Sequence, residues 1–170
     1  MSPDPRYPVG RFQAPPSVTA SDRAAHIATL AAMPAELRAL VEPLAPADLD
    51  RRYREGGWTV RQLVHHLADS HMNAYIRMKF VLAEDAPTVK VYDEAVWAEL
   101  PDVAAPVGAS LVLLEGLHQR WVVLLRALPE AAFQRTMNHP EWGLVPLDQT
   151  LALYSWHARH HTAHIRLALA

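Results

Sequence analysis

Trp156-His157-Ala158-Arg159-His160-His161-Thr162-Ala163-His164 is the stretch from which the rest of this chain is best read. Four of the ten histidines fall here, between positions 157 and 164. At about 3.6 residues per helical turn, 157, 160, 161 and 164 share one face. Leu153 before and Leu167 after extend that face, so the series 153, 157, 160, 164, 167 reads Leu, His, His, His, Leu. A core-facing seam normally carries Leu, Ile or Val. Neutral imidazoles there must find partners or lose roughly 1–3 kcal/mol each through unmet hydrogen bonding. A metal ion is the commonest reason to gather several. The rest of the chain reads as a frame for this face.

That helix is expected over about Leu147 to Leu169, with Pro146 at its start. Just upstream, His139-Pro140-Glu141-Trp142-Gly143 is a turn signal that can join two short strands. A third helix is expected from about Gly108 to Leu128, with Leu111, Leu114, Leu117, Trp121, Leu124, Leu125 and Leu128 on its core face. Residues 86–107 read as mostly irregular, with a short helical turn at Asp93–Leu100. A connection that long often carries part of a binding site or subunit contact.

The second helix is expected over about Val60 to Glu84, behind a Gly56-Gly57 turn and a Thr59/Gln62 capping box. Val60, Val64, Leu67, Ala74, Met78 and Val81 form its apolar stripe. The first helix should be capped by Ser21 or Asp22 and run to about Leu44, with Pro34 kinking or restarting it. Residues 1–20 hold five prolines and read as an extended arm lying on the domain. No repeat or linker interrupts the chain. The expectation is one domain over residues 1–170: all-α, an antiparallel four-helix bundle with an N-terminal arm and a short hairpin or irregular segment before the last helix.

Composition bounds the function. The chain has 170 residues, enough for one sizeable core. A net charge of −2 argues against nucleic acid or an anionic membrane surface as partner. There is no cysteine, so disulfides, thiolate metal sites and a cysteine nucleophile are excluded. The first residues lack a signal-like apolar core, and no apolar run reaches bilayer length. A cytoplasmic location is expected.

Two pairs in the last helix have the i,i+4 spacing that lets imidazoles converge on one ion: His157/His161 and His160/His164. A catalytic site with three protein ligands and an open position needs one more, from another helix. The second helix offers His65, His66 and His71. His71 lies on the apolar stripe, where a hydrogen-bonded core histidine is the ordinary role. His66 heads a polar stripe and is the choice. Asp69, one turn on, is the candidate to orient a ligand or act on bound water. Ser70, Asn73 and Arg77 continue the stripe and are expected to line a cleft leading from the metal. Arg77 needs either an acidic neighbour within the bundle or an anionic ligand. His26, His118 and His139 read as isolated. There is no HExxH and no Gly-rich phosphate loop.

The same residues carry a resemblance. GGWTVRQLVHHLADSHMNAYIRMKF at 56–80 resembles the metal-site helix of the YfiT-like proteins of the DinB superfamily. YPVGRF at 7–12, APTVKVYDEAVWAEL at 86–100, LHQRW at 117–121 and SWHARHHTAH at 155–164 are similar too. The resemblance implies a homodimer of four-helix bundles, with one divalent metal per chain, zinc or nickel. It implies His66, His160 and His164 as the ligands, which would decide between the two i,i+4 pairs. YfiT-like proteins are described as metal-dependent hydrolases, and related bundles transfer thiols such as bacillithiol or mycothiol to electrophiles.

An ion on three neutral imidazoles keeps its full charge. It can lower the pKa of bound water toward about 7 or deprotonate a bound thiol outright. Hydrolysis of a stable amide calls for a carboxylate base, for which Asp69 is the one candidate. Thiol transfer needs none, and a chain without cysteine must borrow its thiol. The expectation is a thiol S-transferase, with a small-molecule thiol and an electrophile as partners. A metal-dependent hydrolase is the alternative, and a non-catalytic metal-binding stress-response protein is the third reading.

Overall fold

Thr19 and Asp22 close a reciprocal capping box at the start of α1 (Ala20–Val41). The cap is therefore two residues earlier than Ser21, and Asp22 is its partner rather than the cap itself. The computed structural model describes residues 4–170. A short turn, α2 (Pro46–Leu49), precedes α3 (Val60–Ala83), which carries the expected Thr59/Gln62 box. Asp93 caps α4 (Glu94–Trp97), accepting from the N–H groups of Ala95 and Val96 at 3.0 Å each. A 3-10 turn follows at Pro101–Ala104, then α5 (Val107–Ala127) and a second 3-10 turn at Glu130–Gln134. Strands β1 (Thr136–His139) and β2 (Gly143–Pro146) form an antiparallel hairpin that leads into α6 (Leu147–Leu169).

The long helices make a four-helix bundle. α1 packs on α5 and α6, and α3 packs on the same two, so α1 and α3 lie diagonally opposite. One half of the core joins Leu30 of α1, Met78 of α3, Leu125 of α5 and Leu151 of α6. The other half joins Leu37, Leu63, Leu114 and Ile165 of the same helices. Along this axis α1 and α6 run one way while α3 and α5 run the other. The neighbours α1/α5 and α3/α6 are antiparallel, as expected, whereas α1/α6 and α3/α5 are parallel. Parallel neighbours require a connection that returns the length of the bundle, and the stretch between α3 and α5 provides it.

Pro34 sits inside an unbroken α1. Proline has no N–H, so the carbonyl of Leu30, one turn back, loses its helical donor. The imidazole Nδ1 of His118 on α5 takes that place, donating to the Leu30 carbonyl at 2.6 Å. The helix does not restart at Pro34, and the vacated acceptor is satisfied from a neighbouring helix.

The core face of α6 runs Leu147, Leu151, Tyr154, Ala158, His161, Ile165, Ala168, all buried. The seam expected from the sequence ends instead at Leu167, which is 42% exposed. It lies one step around the helix from the true one. The N-terminal arm lies along α6: Trp156 Nε1 donates to the Gly10 carbonyl at 3.1 Å, and Phe12 packs on the same indole. The hairpin closes through Gly143 at φ 72°, a left-handed conformation that glycine adopts without strain. Its edge is held by residues 87–89, with Asn138 N–H on the Pro87 carbonyl at 2.9 Å. Among the described residues no helix is long and apolar enough to cross a membrane.

Candidate metal centre

His66 on α3 and His157 and His161 on α6 meet where the two apolar halves of the core part. Their ligand nitrogens all lie within 4.8 Å of one another. His66 Nε2 and His157 Nε2 are 3.1 Å apart. Tetrahedral bonds of about 2.0–2.1 Å set ligand nitrogens about 3.3 Å apart, so this pair needs only small adjustment to share an ion. The three imidazoles line a cleft of about 350 Å³. Trp58 packs against His66 at 4.7 Å between ring centroids. The turn before Trp58 is tight: a Cβ on Gly57 would come within 2.9 Å of the Tyr53 ring.

Among the described residues the donor nitrogens gather in two groups, His66 with His157 and His161, and His160 with His161 and His164, so the set implied by the resemblance spans both groups. A step of three residues on a helix is about 300°, which sets His160 about 60° around α6 from His157. His160 stacks on Trp156 at 4.3 Å, and His164 stacks on Tyr53 at 4.0 Å. The backbone carbonyls of Pro5 and Arg6 lie beside His164. Neither imidazole lines the cleft. With His161 they form a second cluster, built wholly from α6 under the N-terminal arm. The pair whose nitrogens lie within 4.8 Å of His66 is His157/His161.

Burial keeps these rings neutral. It pushes His66 down to about 4, aided by the nearby His160. His157 and His161 fall well below 6.5, mainly through burial and then through the mutual repulsion of neighbouring imidazoles. A neutral imidazole presents a free lone pair, which is the state a metal ligand requires.

The polar stripe of α3 divides. Ser70 and Arg77 line the cleft. Asn73 does not; its amide donates to the Asp69 carbonyl of its own helix at 2.9 Å. Asp69, the expected base beside the metal, stays outside the lining. Its carboxyl is raised above the usual range by burial and by the charge of Asp102, which places it toward the 101–104 turn. Arg77 donates to the Lys90 carbonyl, and its buried Nε has no partner. Among the described residues no carboxylate forms an ion pair with it.

Tyr92, Tyr154, Glu94, Glu141, His139 and Trp142 complete the polar and aromatic wall. Burial raises both Tyr92 and Tyr154, so their hydroxyls stay protonated. In linear sequence His139 stands isolated, yet it is buried and stacks on Trp142 at 4.0 Å with the planes 7° apart. Only the hairpin turn, legible in the sequence as a turn and nothing more, brings that pair to the cleft.

The DinB superfamily pattern matches residues 29–165. A protein of Halalkalibacterium halodurans named "Putative metal-dependent hydrolase" is 46% identical over 166 residues, 98% of this chain and 97% of that protein. One of the same name from Bacillus cereus is 50% identical over 162 residues, 95% and 94% of the two chains. A solved structure, that of YfiT from Bacillus subtilis, superposes with a TM-score of 0.93 at 44% identity, covering 96% of this chain and 95% of its own. It is described as "a probable metal-dependent hydrolase with an unusual four-helix bundle topology", and the parallel α3/α5 and α1/α6 pairs are where this bundle departs from simple up-and-down order. With a family pattern over most of its length and relatives at this identity, the chain belongs to the DinB superfamily, among the YfiT-like proteins.

Proposed function

We propose that this protein is a metal-dependent enzyme with one divalent ion, zinc or nickel, on His66, His157 and His161. In this proposal it transfers a low-molecular-weight thiol of the bacillithiol type to an electrophile. The make-up of the cleft carries the reading. Neutral imidazoles converge at one place, no carboxylate among the described residues joins their donor atoms, and Arg77 offers a buried, unpartnered Nε along the same wall. An ion bound there supplies Lewis acidity, favouring the ionised form of a thiol or a water.

The chain's own residues do the rest. The Arg77 guanidinium holds an anionic group of the cosubstrate, a contact that strengthens as water is excluded. Ser70 and the protonated Tyr92 and Tyr154 hydroxyls offer hydrogen bonds to its polar atoms. Trp58 and the His139/Trp142 stack shield the site from solvent. The S–H proton leaves to solvent, the sulfur's electron pair forms the new bond to the electrophilic carbon, and the electrophile's leaving group departs with the electron pair of the bond that breaks.

Hydrolysis is the second reading. The names of the relatives favour it, and Glu94 and Glu141 line the same cleft, where either can accept a proton from water. One experiment separates the two. The metal-loaded protein is given a panel of thiols with electrophiles, and in parallel a panel of amides and esters. Thiol-dependent consumption of an electrophile is the expected result. Turnover of amides or esters without thiol would replace transfer with hydrolysis, and no turnover in either panel would leave a non-catalytic metal-binding protein.

A further inference from the structure

Four imidazoles cross the bundle in a hydrogen-bonded chain from the cleft to α1. His66 Nε2 meets His157 Nε2 at 3.1 Å, and His157 Nδ1 meets His71 Nε2 at 3.2 Å. His71 Nδ1 meets His118 Nε2 at 2.9 Å, and His118 Nδ1 meets the Leu30 carbonyl at 2.6 Å. His71 is wholly buried and His118 nearly so. Each inner ring uses both nitrogens inside the chain.

The carbonyl end sets the direction of every bond. A carbonyl oxygen only accepts, so His118 carries its proton on Nδ1 and leaves Nε2 bare. A neutral imidazole has one N–H. The bare His118 Nε2 must therefore receive the Nδ1 proton of His71, whose Nε2 is then bare in turn. That nitrogen receives the Nδ1 proton of His157. The lone pair left over is on His157 Nε2, the nitrogen that faces His66. Pro34 keeps the anchor available, because it removes the helical N–H that would otherwise compete for the Leu30 carbonyl.

We propose that His71 and His118 are positioning residues, which lock His157 in its Nδ1–H tautomer and hold its Nε2 lone pair at the candidate metal centre. The assignment of that lone pair to a metal rests on the function proposed above; the tautomer lock does not. Ligand imidazoles characteristically donate their second N–H to a carbonyl, carboxylate or water. Here the acceptor is another histidine, held in turn by a third. In the metal-free protein His66 donates to His157 Nε2. Ion binding through Nε2 of both rings then requires a tautomer change at His66 alone.

Two measurements test the lock. Nitrogen-15 NMR of the metal-free wild-type protein reads the tautomers directly, with His71, His118 and His157 all expected as Nδ1–H. A His157 in the Nε2–H form would overturn the proposal. The second measurement is metal affinity by chelator competition in His118→Phe, which removes both nitrogens of the anchor ring. Affinity should fall by about 10–100-fold, as for loss of other groups that orient ligands. The cobalt-loaded variant should show a changed visible spectrum. Wild-type affinity and spectrum in a folded His118→Phe protein would sink the proposal. If that variant does not fold, the wild-type tautomers still decide. Wild-type protein that binds no metal but shows Nδ1–H at His157 would refute the metal reading and support the lock.

Discussion

Pro34 and His118 act on the same atom: the proline deprives the Leu30 carbonyl of its helical donor, and the imidazole donates to it at 2.6 Å. A proline inside a helix costs about 3 kcal/mol relative to alanine. Part of that cost is a stranded carbonyl, and here the carbonyl is not stranded. The hydrogen bond missing from one helix is replaced by a side chain from another, and that contact orients a row of imidazoles leading to the cleft.

Metal content should separate the two histidine pairs. His157→Ala and His161→Ala are expected to lose most of the single ion per chain, because each removes one of the three nitrogens that converge. His160→Ala and His164→Ala should keep it, since their rings stack on Trp156 and Tyr53 outside the cleft. Elemental analysis of the four purified variants checks this. Full occupancy in His157→Ala would exclude the proposed centre.

Arg23 and Asp148 tie the start of α1 to the start of α6. The guanidinium meets the carboxylate through two bonds, 2.6 and 3.0 Å, with both side chains under a tenth exposed. Gln134 donates to the same carboxylate at 2.9 Å. Removing one partner leaves the other charge buried, at about 3–5 kcal/mol. Urea denaturation of Asp148→Asn should show a loss of that order, and a loss below about 1 kcal/mol would mean that water reaches the pair.

Stability of the metal-free protein should fall with acid. An unfolded imidazole takes up its proton near pH 6.5. Folded His66 resists until about 4, and buried His71 is likewise held well below 6.5. Between those values the unfolded chain binds more protons, so folding free energy drops as pH falls. The slope is up to about 1.4 kcal/mol per pH unit for each such histidine. The loss begins below pH 6.5 and, for His66, levels off below about 4. Urea midpoints from pH 7 to pH 4 test this, and a flat profile would contradict the burial of these rings.

Arg77→Met should act on substrate rather than on the fold. Its guanidinium has no carboxylate partner among the described residues, so no buried charge is orphaned by the change. A lost charge-assisted contact of about 1.5–3 kcal/mol predicts at least a tenfold rise in KM for the thiol. Metal content and Tm should stay close to wild type. A lower Tm with unchanged KM would make Arg77 structural.

Assembly is expected to be a two-fold dimer, the commonest closed symmetry and the one the family resemblance implies. Several large apolar side chains are exposed on the long helices, among them Ile76 and Phe80 of α3 and Val112 and Val123 of α5. Light scattering at micromolar concentration should report twice the 19.0 kDa chain mass. A monomer there would rule the dimer out.

Local patterns in the sequence determined the four helices, the hairpin turn and the Thr59/Gln62 cap, because hydrophobic period and capping chemistry act over a few residues. They also determined that His66 and a histidine pair of α6 are unusual, since imidazoles on an inward face demand partners. Tertiary packing decided which pair. His157/His161 and His160/His164 have identical spacing, and only the rotation of α6 against α3 turns one toward the cleft and the other under the arm. The same holds for His118, Asp69 and His139. Alone in the chain, His118 looked isolated, Asp69 looked adjacent to the metal and His139 looked like part of a turn. Side-chain direction across helices and through a hairpin is not written in linear spacing, because it depends on how whole elements rotate to bury their apolar faces. The Leu30 carbonyl is the clearest instance: the sequence shows a proline that frees it, and only the fold shows the histidine that claims it.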